Sequence, residues 1–122
     1  DVDCCIFDWW RIVQPVAREK KILDNDGVMA HGHASEAGTS CFLYTRPDLV
    51  KSDRLQKIAP AITNNYPEFQ QFTPFACYGD QYMLGDATCA SAEKGKDLVE
   101  ATLDRMVEFL EQWNPVSNKE IY

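Results

Sequence analysis

The sequence GHASEAGTSCFLYTRPDLV at residues 32–50 combines a histidine, many small side chains and a proline that ends a helix. Helical spacing places six of its residues on one side: Ala34, Ala37, Gly38, Cys41, Phe42 and Thr45. Because most of them are small, we expect this helix to pack very close to a neighbouring element. The helix ends at Arg46, because the residue before Pro47 is pushed out of the helical region.

A second helix is predicted over residues 88–113, TCASAEKGKDLVEATLDRMVEFLEQW. Its apolar residues recur at intervals of three and four, which predicts an amphipathic helix with one buried stripe. That stripe comprises Val99, Leu103, Met106, Leu110 and Trp113. Pro115 stops the helix.

The remaining segments predict an α/β chain. Residues 2–10, VDCCIFDWW, are β-branched and aromatic, as in a buried strand of a parallel sheet. Residues 11–24 predict a short helix or connector with Pro15 in its first turn, and residues 25–27 a turn. We expect a turn of helix within residues 51–61 and irregular structure over 63–84.

Composition excludes several classes of protein. The 122 residues are 45% hydrophobic and 25% charged, and 12 Lys and Arg against 19 Asp and Glu give a net charge of −7. We expect no nucleic-acid partner, because no basic patch is available for phosphates. No apolar run approaches the ~20 residues of a membrane helix, so we expect a cytoplasmic protein. The five cysteines match neither metal knuckles nor a disulfide scaffold, and we expect free thiols.

The chain opens at Asp1 without a methionine and enters an apolar stretch at once. This is typical of a cut through a larger protein. We therefore expect a missing segment or a companion chain to supply the neighbours of the opening strand.

Residues 30–36, AHGHASE, are the first candidate for chemistry. His31 and His33 lie just ahead of a helix, where backbone amides favour developing negative charge. The alternative is structural, with one histidine capping the helix and the other exposed. A metal site of His31, His33 and Glu36 is a weaker possibility, because no further histidine completes it.

Two other groups of residues are weaker candidates. Trp9 and Trp10 follow the predicted strand, where one of them could form a flat wall for a planar substrate and the other a core aromatic. The sequence at 85–88, GDAT, could bind an anion or simply cap the next helix. No cysteine nucleophile is supported, because Cys5 and Cys41 lie in apolar contexts, and no serine elbow is present.

Two stretches together resemble the creatininase family of amidohydrolases. Residues 32–50 are similar to that family's histidine, small pair, glutamate and Thr-Ser, followed by a helix that closes on RPDLV. Residues 85–101, GDATCASAEKGKDLVEA, are similar to its Gly-Asp turn and last helix. The opening IFDWW fits the family's strand before the substrate pocket.

The resemblance implies a three-layer α/β/α fold with a mainly parallel sheet. Residues 1–122 would be the C-terminal portion of a single domain, completed by a missing N-terminal half or a partner chain. It also implies a hydrolase of non-peptide C–N bonds in cyclic amides or formamides, and a closed homo-oligomer of the complete unit. The divalent metal, Zn or Mn, would be bound by the other half, because the family's Glu-x-His and His-x-Glu motifs have no match here. The isolated chain would then be inactive.

Carried over residue by residue, the resemblance makes His33 the catalytic histidine. Metal-activated water would attack the carbonyl, while His33 polarises the carbonyl oxygen or protonates the leaving nitrogen. Trp9 or Trp10 matches a pocket tryptophan, and Met29 falls near the place of a second one. Glu36 remains as a substrate-binding candidate.

This sequence also departs from the family pattern, since Gly38 stands where the family commonly has a glutamate before Thr-Ser. These departures favour a small-molecule substrate other than creatinine. They leave two alternatives open: a hydrolase of a carbocyclic or sugar-like ring ketone on the same fold, and a non-catalytic partner or regulatory chain. His31 and Glu36 remain weak metal candidates.

Overall fold

The computed structural model describes residues 4–60 and 82–113. Its helices are α1 (Trp9–Lys20), α2 (Gly27–His31), α3 (Glu36–Thr45) and α4 (Ala92–Gln112). Its strands are β1 (Lys57–Ile58) and β2 (Gly85–Asp86), and short 3-10 turns cover Pro47–Leu49, Ser52–Arg54 and Ala87–Cys89. Within this part of the chain, no helix is both long and apolar enough to cross a membrane.

Helices α3 and α4 pack against each other at close range. A Cβ atom on Gly95 of α4 would overlap the main-chain oxygen of Ser40 on α3. The fully buried Ala37 of α3 and Leu98 of α4 meet Val13 of α1 in one apolar cluster. The expected close packing of α3 is confirmed, although Ala34, Phe42 and Thr45 are exposed rather than part of the contact.

The buried face of α4 differs from the predicted stripe. Its buried residues are Gly95, Leu98, Ala101 and Thr102, all in the N-terminal half. Two residues of the predicted stripe are about half exposed, Leu103 at 48% and Leu110 at 52%. The prediction followed the spacing of the large apolar residues, whereas the contact with α3 is set by Gly95, whose lack of a side chain lets the two backbones approach.

The opening segment corrects a prediction. Residues 4–8 have no regular secondary structure, and Trp9 and Trp10 begin α1 instead of ending a strand. Asp8 caps this helix by accepting a hydrogen bond from the backbone N–H of Trp10 at 3.0 Å. A strand needs neighbours for its backbone hydrogen bonds, and the part of the chain described offers none at this end. Pro15 lies inside α1, beyond the first turn in which it was expected.

The sheet is small. β1 and β2 pair antiparallel with Lys57 opposite Asp86, so the described residues form part of an α/β fold without the expected parallel sheet. Of the turn predicted at residues 25–27, only the left-handed glycine is observed: Gly27 has a φ of +55°, but it begins α2 directly after the cap Asp26. The end of α3 at Thr45 and the turn within 51–61 are confirmed. The prediction for residues 63–84 falls largely outside the described residues.

Candidate functional site

His33 lies in the connection between α2 and α3, and its backbone is fixed there. Its carbonyl oxygen accepts a hydrogen bond from the N–H of Leu84 at 2.8 Å, which makes an isolated antiparallel bridge. On one side of His33, a Cβ atom on Gly32 would overlap the main-chain oxygen of Leu84. On the other side, Ala34 has a φ of +51°, in the left-handed region that costs a residue with a Cβ about 1–2 kcal/mol. The chain therefore tolerates local strain to keep His33 in place.

The His33 side chain is exposed and borders a cleft of about 440 Å³. Apolar side chains form most of its walls, namely those of Phe42, Leu49, Val50, Leu55 and Met83. Thr39, Lys51 and Arg54 add polar groups. A volume of this size lies within the range of small-molecule sites, about 300–1,000 Å³. The described lining includes none of Trp9, Trp10, Met29 or Glu36, so the structure does not bring the predicted site residues into one cleft.

Glu36 is fully buried at the start of α3, and every contact described for its carboxylate is internal. Its Oε1 accepts from the backbone N–H of Asp24 at 2.8 Å and from Nζ of Lys94 at 2.6 Å. Its Oε2 accepts from the backbone N–H and the side-chain amide of Asn25, at 3.0 and 2.9 Å. The Lys94 ammonium also donates to Asp24 and to the carbonyl of Cys89. This network joins α3, the start of α4 and the loop before α2.

The charge state of Glu36 follows from that network. Burial raises its pKa, but the hydrogen bonds from Lys94, Asp24 and Asn25 outweigh burial and hold the pKa below its ordinary value. The carboxylate is therefore ionised at neutral pH and paired with a cation. Sequence reasoning missed Lys94, although it belongs to the EKG part of the second stretch that carries the family resemblance.

His31 occupies the last position of α2 and is half-buried. Its Nδ1 is buried and has no hydrogen-bond partner within the described residues. Burial lowers the pKa of His31, which favours the neutral imidazole. It borders a separate polar recess together with Arg18 and Asp26, which pair with each other at 2.8 Å. The two histidines therefore face different surroundings.

The aromatic candidates lie elsewhere. Trp9 is half-buried and packs on the core cluster. It is therefore the core aromatic that was one of the two predictions for this pair. Trp10 is 43% exposed, and a Cβ on Gly38 would lie 3.7 Å from its Cη2 atom. A larger residue at position 38 would therefore meet the Trp10 ring. Met29 is half-buried in α2.

Asp86 caps the 3-10 turn Ala87–Cys89 and not the long helix α4, whose N-cap is Ser91, so the predicted cap of the long helix at residues 85–88 is wrong. Its buried carboxylate accepts from the backbone N–H and the hydroxyl of Thr88 and pairs with Lys57 at 3.0 Å. The Thr88 hydroxyl and the Lys57 ammonium outweigh burial and lower the pKa of Asp86 to about 2.

Metal binding within the described residues lacks a ligand set. No group of three His, Cys, Asp or Glu side chains there could hold a metal ion. The carboxylate of Glu36, a weak candidate from the sequence, is engaged by Lys94 and the loop amides. The residues present therefore do not fit a metal centre on their own. The cysteines described are free, and burial raises the pKa of Cys41.

Known structures resemble this chain over most of its length. A mutant creatininase complexed with creatine is 26% identical with a TM-score of 0.68, over 94% of this chain and 45% of that one. A Mn creatininase and a mutant creatininase of the Zn-Zn type are each 25% identical with TM-scores of 0.69, at the same coverage. The chain thus spans about 45% of the length of these structures. No curated protein sequence matches it.

The family model described as creatininase, creatinine amidohydrolase, matches residues 2–110. That match covers both stretches quoted above, which meet in the structure through Glu36 and Lys94. The chain therefore belongs to the creatininase family.

Proposed function

We propose that this chain forms part of an amidohydrolase that cleaves a non-peptide C–N bond in a cyclic amide or a formamide, with His33 as its catalytic residue. The observation that carries the proposal is the strained connection around His33. Residues in sparsely populated backbone conformations persist where the surrounding structure enforces them, and they cluster at functional sites. Ala34 is such a residue, and it directly follows the histidine.

Amide hydrolysis needs a proton at the leaving nitrogen, because an amine anion is a poor leaving group. Imidazole is the side chain that most often transfers protons in enzymes. The exposed ring of His33 borders a cleft large enough for a small molecule, so it can reach a substrate bound there. The hydrogen bond from Leu84 fixes the backbone from which the ring projects.

We also propose that the divalent metal, Zn or Mn, lies outside the described residues. The similar creatininase structures of the Mn and Zn-Zn types support this choice of metal. The described residues themselves form no three-ligand site for this metal.

The proposed companion segment has a surface on which to pack. Leu103, Val107 and Leu110 are exposed along the C-terminal half of α4, and Ile6 and Phe7 are exposed before α1. Leu103, Val107 and Leu110 recur at helical spacing on one face, and an exposed apolar stripe of this kind is typical of an interface. Because the chain spans about 45% of its relatives' length, we propose that the remaining part of such a domain covers it. Leu110→Glu should weaken association with that segment in light-scattering measurements, and Lys96→Glu, on the exposed part of the same helix, should not.

His33→Asn tests the catalytic proposal. We expect turnover of a panel of cyclic amides and formamides to fall by roughly 10²–10⁴-fold, the usual worth of a positioned acid or base. Metal content should not change, because no group of three His, Cys, Asp or Glu side chains among the described residues could hold a metal ion. His31→Asn is the matched control and should lose much less activity. Full activity of the His33 variant, or equal losses in both variants, would show that His33 is not the catalytic residue.

A further inference from the structure

The cleft beside His33 has an uneven distribution of charge. Lys51 and Arg54 both line it, and no carboxylate is present among its described lining residues. The whole chain, by contrast, carries a formal net charge of −7. Two cations on one wall of a largely apolar cleft therefore stand out from an otherwise acidic protein.

Both cations retain donors for a ligand. Lys51 makes no ion pair with any described residue, and Arg54 has a single long one, 3.9 Å from its Nε to Asp53. Both partners of that pair are strongly exposed, 71% for Arg54 and 81% for Asp53, so it contributes little. The guanidinium of Arg46, by contrast, is already engaged by a carboxylate, because it donates two short hydrogen bonds to Asp48.

The positions of the two cations are set by the local backbone. Ser52–Arg54 is a 3-10 turn, and the N–H of Arg54 donates to the carbonyl of Lys51 at 2.9 Å. Lys51 directly precedes this turn and Arg54 ends it, and both residues line the same cleft. The cleft therefore has two positive charges from one short segment.

We propose that this cleft binds a carboxylate-bearing substrate, with Lys51 and Arg54 holding the carboxylate, the apolar walls holding an apolar body, and His33 facing the scissile amide. This inference rests on the proposed function of His33 and adds the substrate class to it. Arg and Lys are the usual partners of carboxylates in proteins, and their charge-assisted hydrogen bonds both attract the carboxylate and fix its orientation. The substrate class follows from the cations of this chain and not from the creatine bound in one similar structure.

A matched pair of formamides tests the substrate class. N-formyl-phenylalanine has an apolar body, a formamide and a carboxylate, and N-formyl-phenylalaninamide differs by replacing the carboxylate with a neutral amide. Binding of both to the purified protein is measured by calorimetry at low and high salt. We expect the carboxylate form to bind about tenfold or more tightly at low salt, with a smaller preference at high salt because ions screen exposed charges.

Variants then assign the preference to the two cations. Lys51→Gln and Arg54→Gln should each weaken binding of the carboxylate form by about three- to tenfold and leave the neutral form unchanged. Lys96→Gln, an exposed lysine on α4, is the control and should change neither. Equal affinity for the two formamides, or a preference that survives both substitutions, overturns the inference.

The binding readout separates this inference from the proposed function. Suppose that the carboxylate form binds through Lys51 and Arg54 but that neither it nor other carboxylate-bearing amides are hydrolysed. The cleft then binds carboxylate ligands as inferred, and the proposed activity is wrong. If amides are hydrolysed in a His33-dependent way without any preference for a carboxylate, the activity stands and the inference fails.

Discussion

Removing the Lys94 ammonium isolates a buried charge, so Lys94→Met should destabilise the fold more than any surface substitution. The Nζ atom of Lys94 lies 2.6 Å from Oε1 of Glu36, whose side chain is fully buried. Lys94 is itself only 19% exposed, and it also donates to Asp24 at 2.8 Å and to the Cys89 carbonyl at 2.7 Å. Methionine keeps an unbranched apolar stem like that of lysine and lacks the ammonium with its charge and donors.

The magnitude follows from burial and from what remains around the carboxylate. Breaking a buried ion pair by removing one partner costs roughly 3–5 kcal/mol, because the other charge is left uncompensated. After the substitution, Glu36 keeps three neutral donors, the N–H groups of Asp24 and Asn25 and the Asn25 side-chain amide. We therefore expect a loss of about 3 kcal/mol, toward the lower end of that range.

Lys96→Met provides a matched control on the same helix. Lys96 is half exposed and lies 3.9 Å from Glu100, so its loss should cost at most about 0.5 kcal/mol. The free energy of unfolding of both variants is measured by urea titration. A difference between them of less than about 1 kcal/mol would show that Lys94 and Glu36 do not form the buried pair described.

A double variant separates the pairing from other effects of Lys94. Glu36→Gln removes the buried charge while retaining an oxygen that accepts from Asn25. In the double variant with Lys94→Met, no uncompensated charge remains, so the loss should be smaller than the sum of the two single losses. Strict additivity would mean that the two side chains contribute independently.

Three further predictions address the backbone and the cap. Ala34→Gly should raise the free energy of unfolding by about 1 kcal/mol, since glycine adopts a φ of +51° without the penalty of a Cβ; an unchanged or lower value in urea titration contradicts the left-handed conformation. Gly95→Ala should lower it by about 1–3 kcal/mol, because the new Cβ forces α4 away from Ser40, and a gain in stability would refute the close packing. The Thr88 hydroxyl and Lys57 hold the pKa of Asp86 at about 2, below its ordinary 3.8. The ionised Asp86 carboxylate therefore contributes fully to the stability of the fold above about pH 4, and this contribution is lost as the pH falls toward 2. Asp86→Asn should therefore flatten the fall of thermal stability across that interval, and an unaltered acid profile would contradict it.

The two main helices could be predicted from the sequence, but their contact could not. Periodicity identified both elements, and Pro47 fixed the end of α3. The buried face of α4 depends on Gly95, whose lack of a side chain matters only once Ser40 is placed opposite it. Hydrophobic periodicity measures how apolar each residue is and holds no information about how closely two backbones approach.

In the opening segment, the sequence-based prediction of secondary structure itself was wrong. Its β-branched and aromatic residues favour a strand, but β-propensity depends on neighbouring strands and on burial. Asp8 is a local signal that acts without neighbours, because its side chain caps the N–H of Trp10 two residues later. In the part of the chain described, the local cap determines the conformation from residue 9 onward.

For the candidate site, the sequence predicts His33 as a site residue but does not predict how its backbone is held in place. The bridge from His33 to Leu84 depends on a segment about fifty residues away. Likewise, Lys94 lies 58 positions from Glu36, and no local pattern links them. Such pairings can be read only after the chain is folded.

The two stretches that carry the family resemblance are adjacent in space, which changes what the resemblance means. Glu36 of the first stretch binds Lys94 of the second, and Ser40 accepts a hydrogen bond from the N–H of Ser91 at 3.2 Å. These partly buried contacts join helix α3 to the start of helix α4, so these residues of the two stretches hold the helix pair together. His33 differs from them because its side chain is exposed beside a cleft while its backbone is held by the bridge to Leu84. Lys51 and Arg54 line the same cleft and take no described part in the Glu36–Lys94 pair, and for this reason we propose that they recognise the substrate.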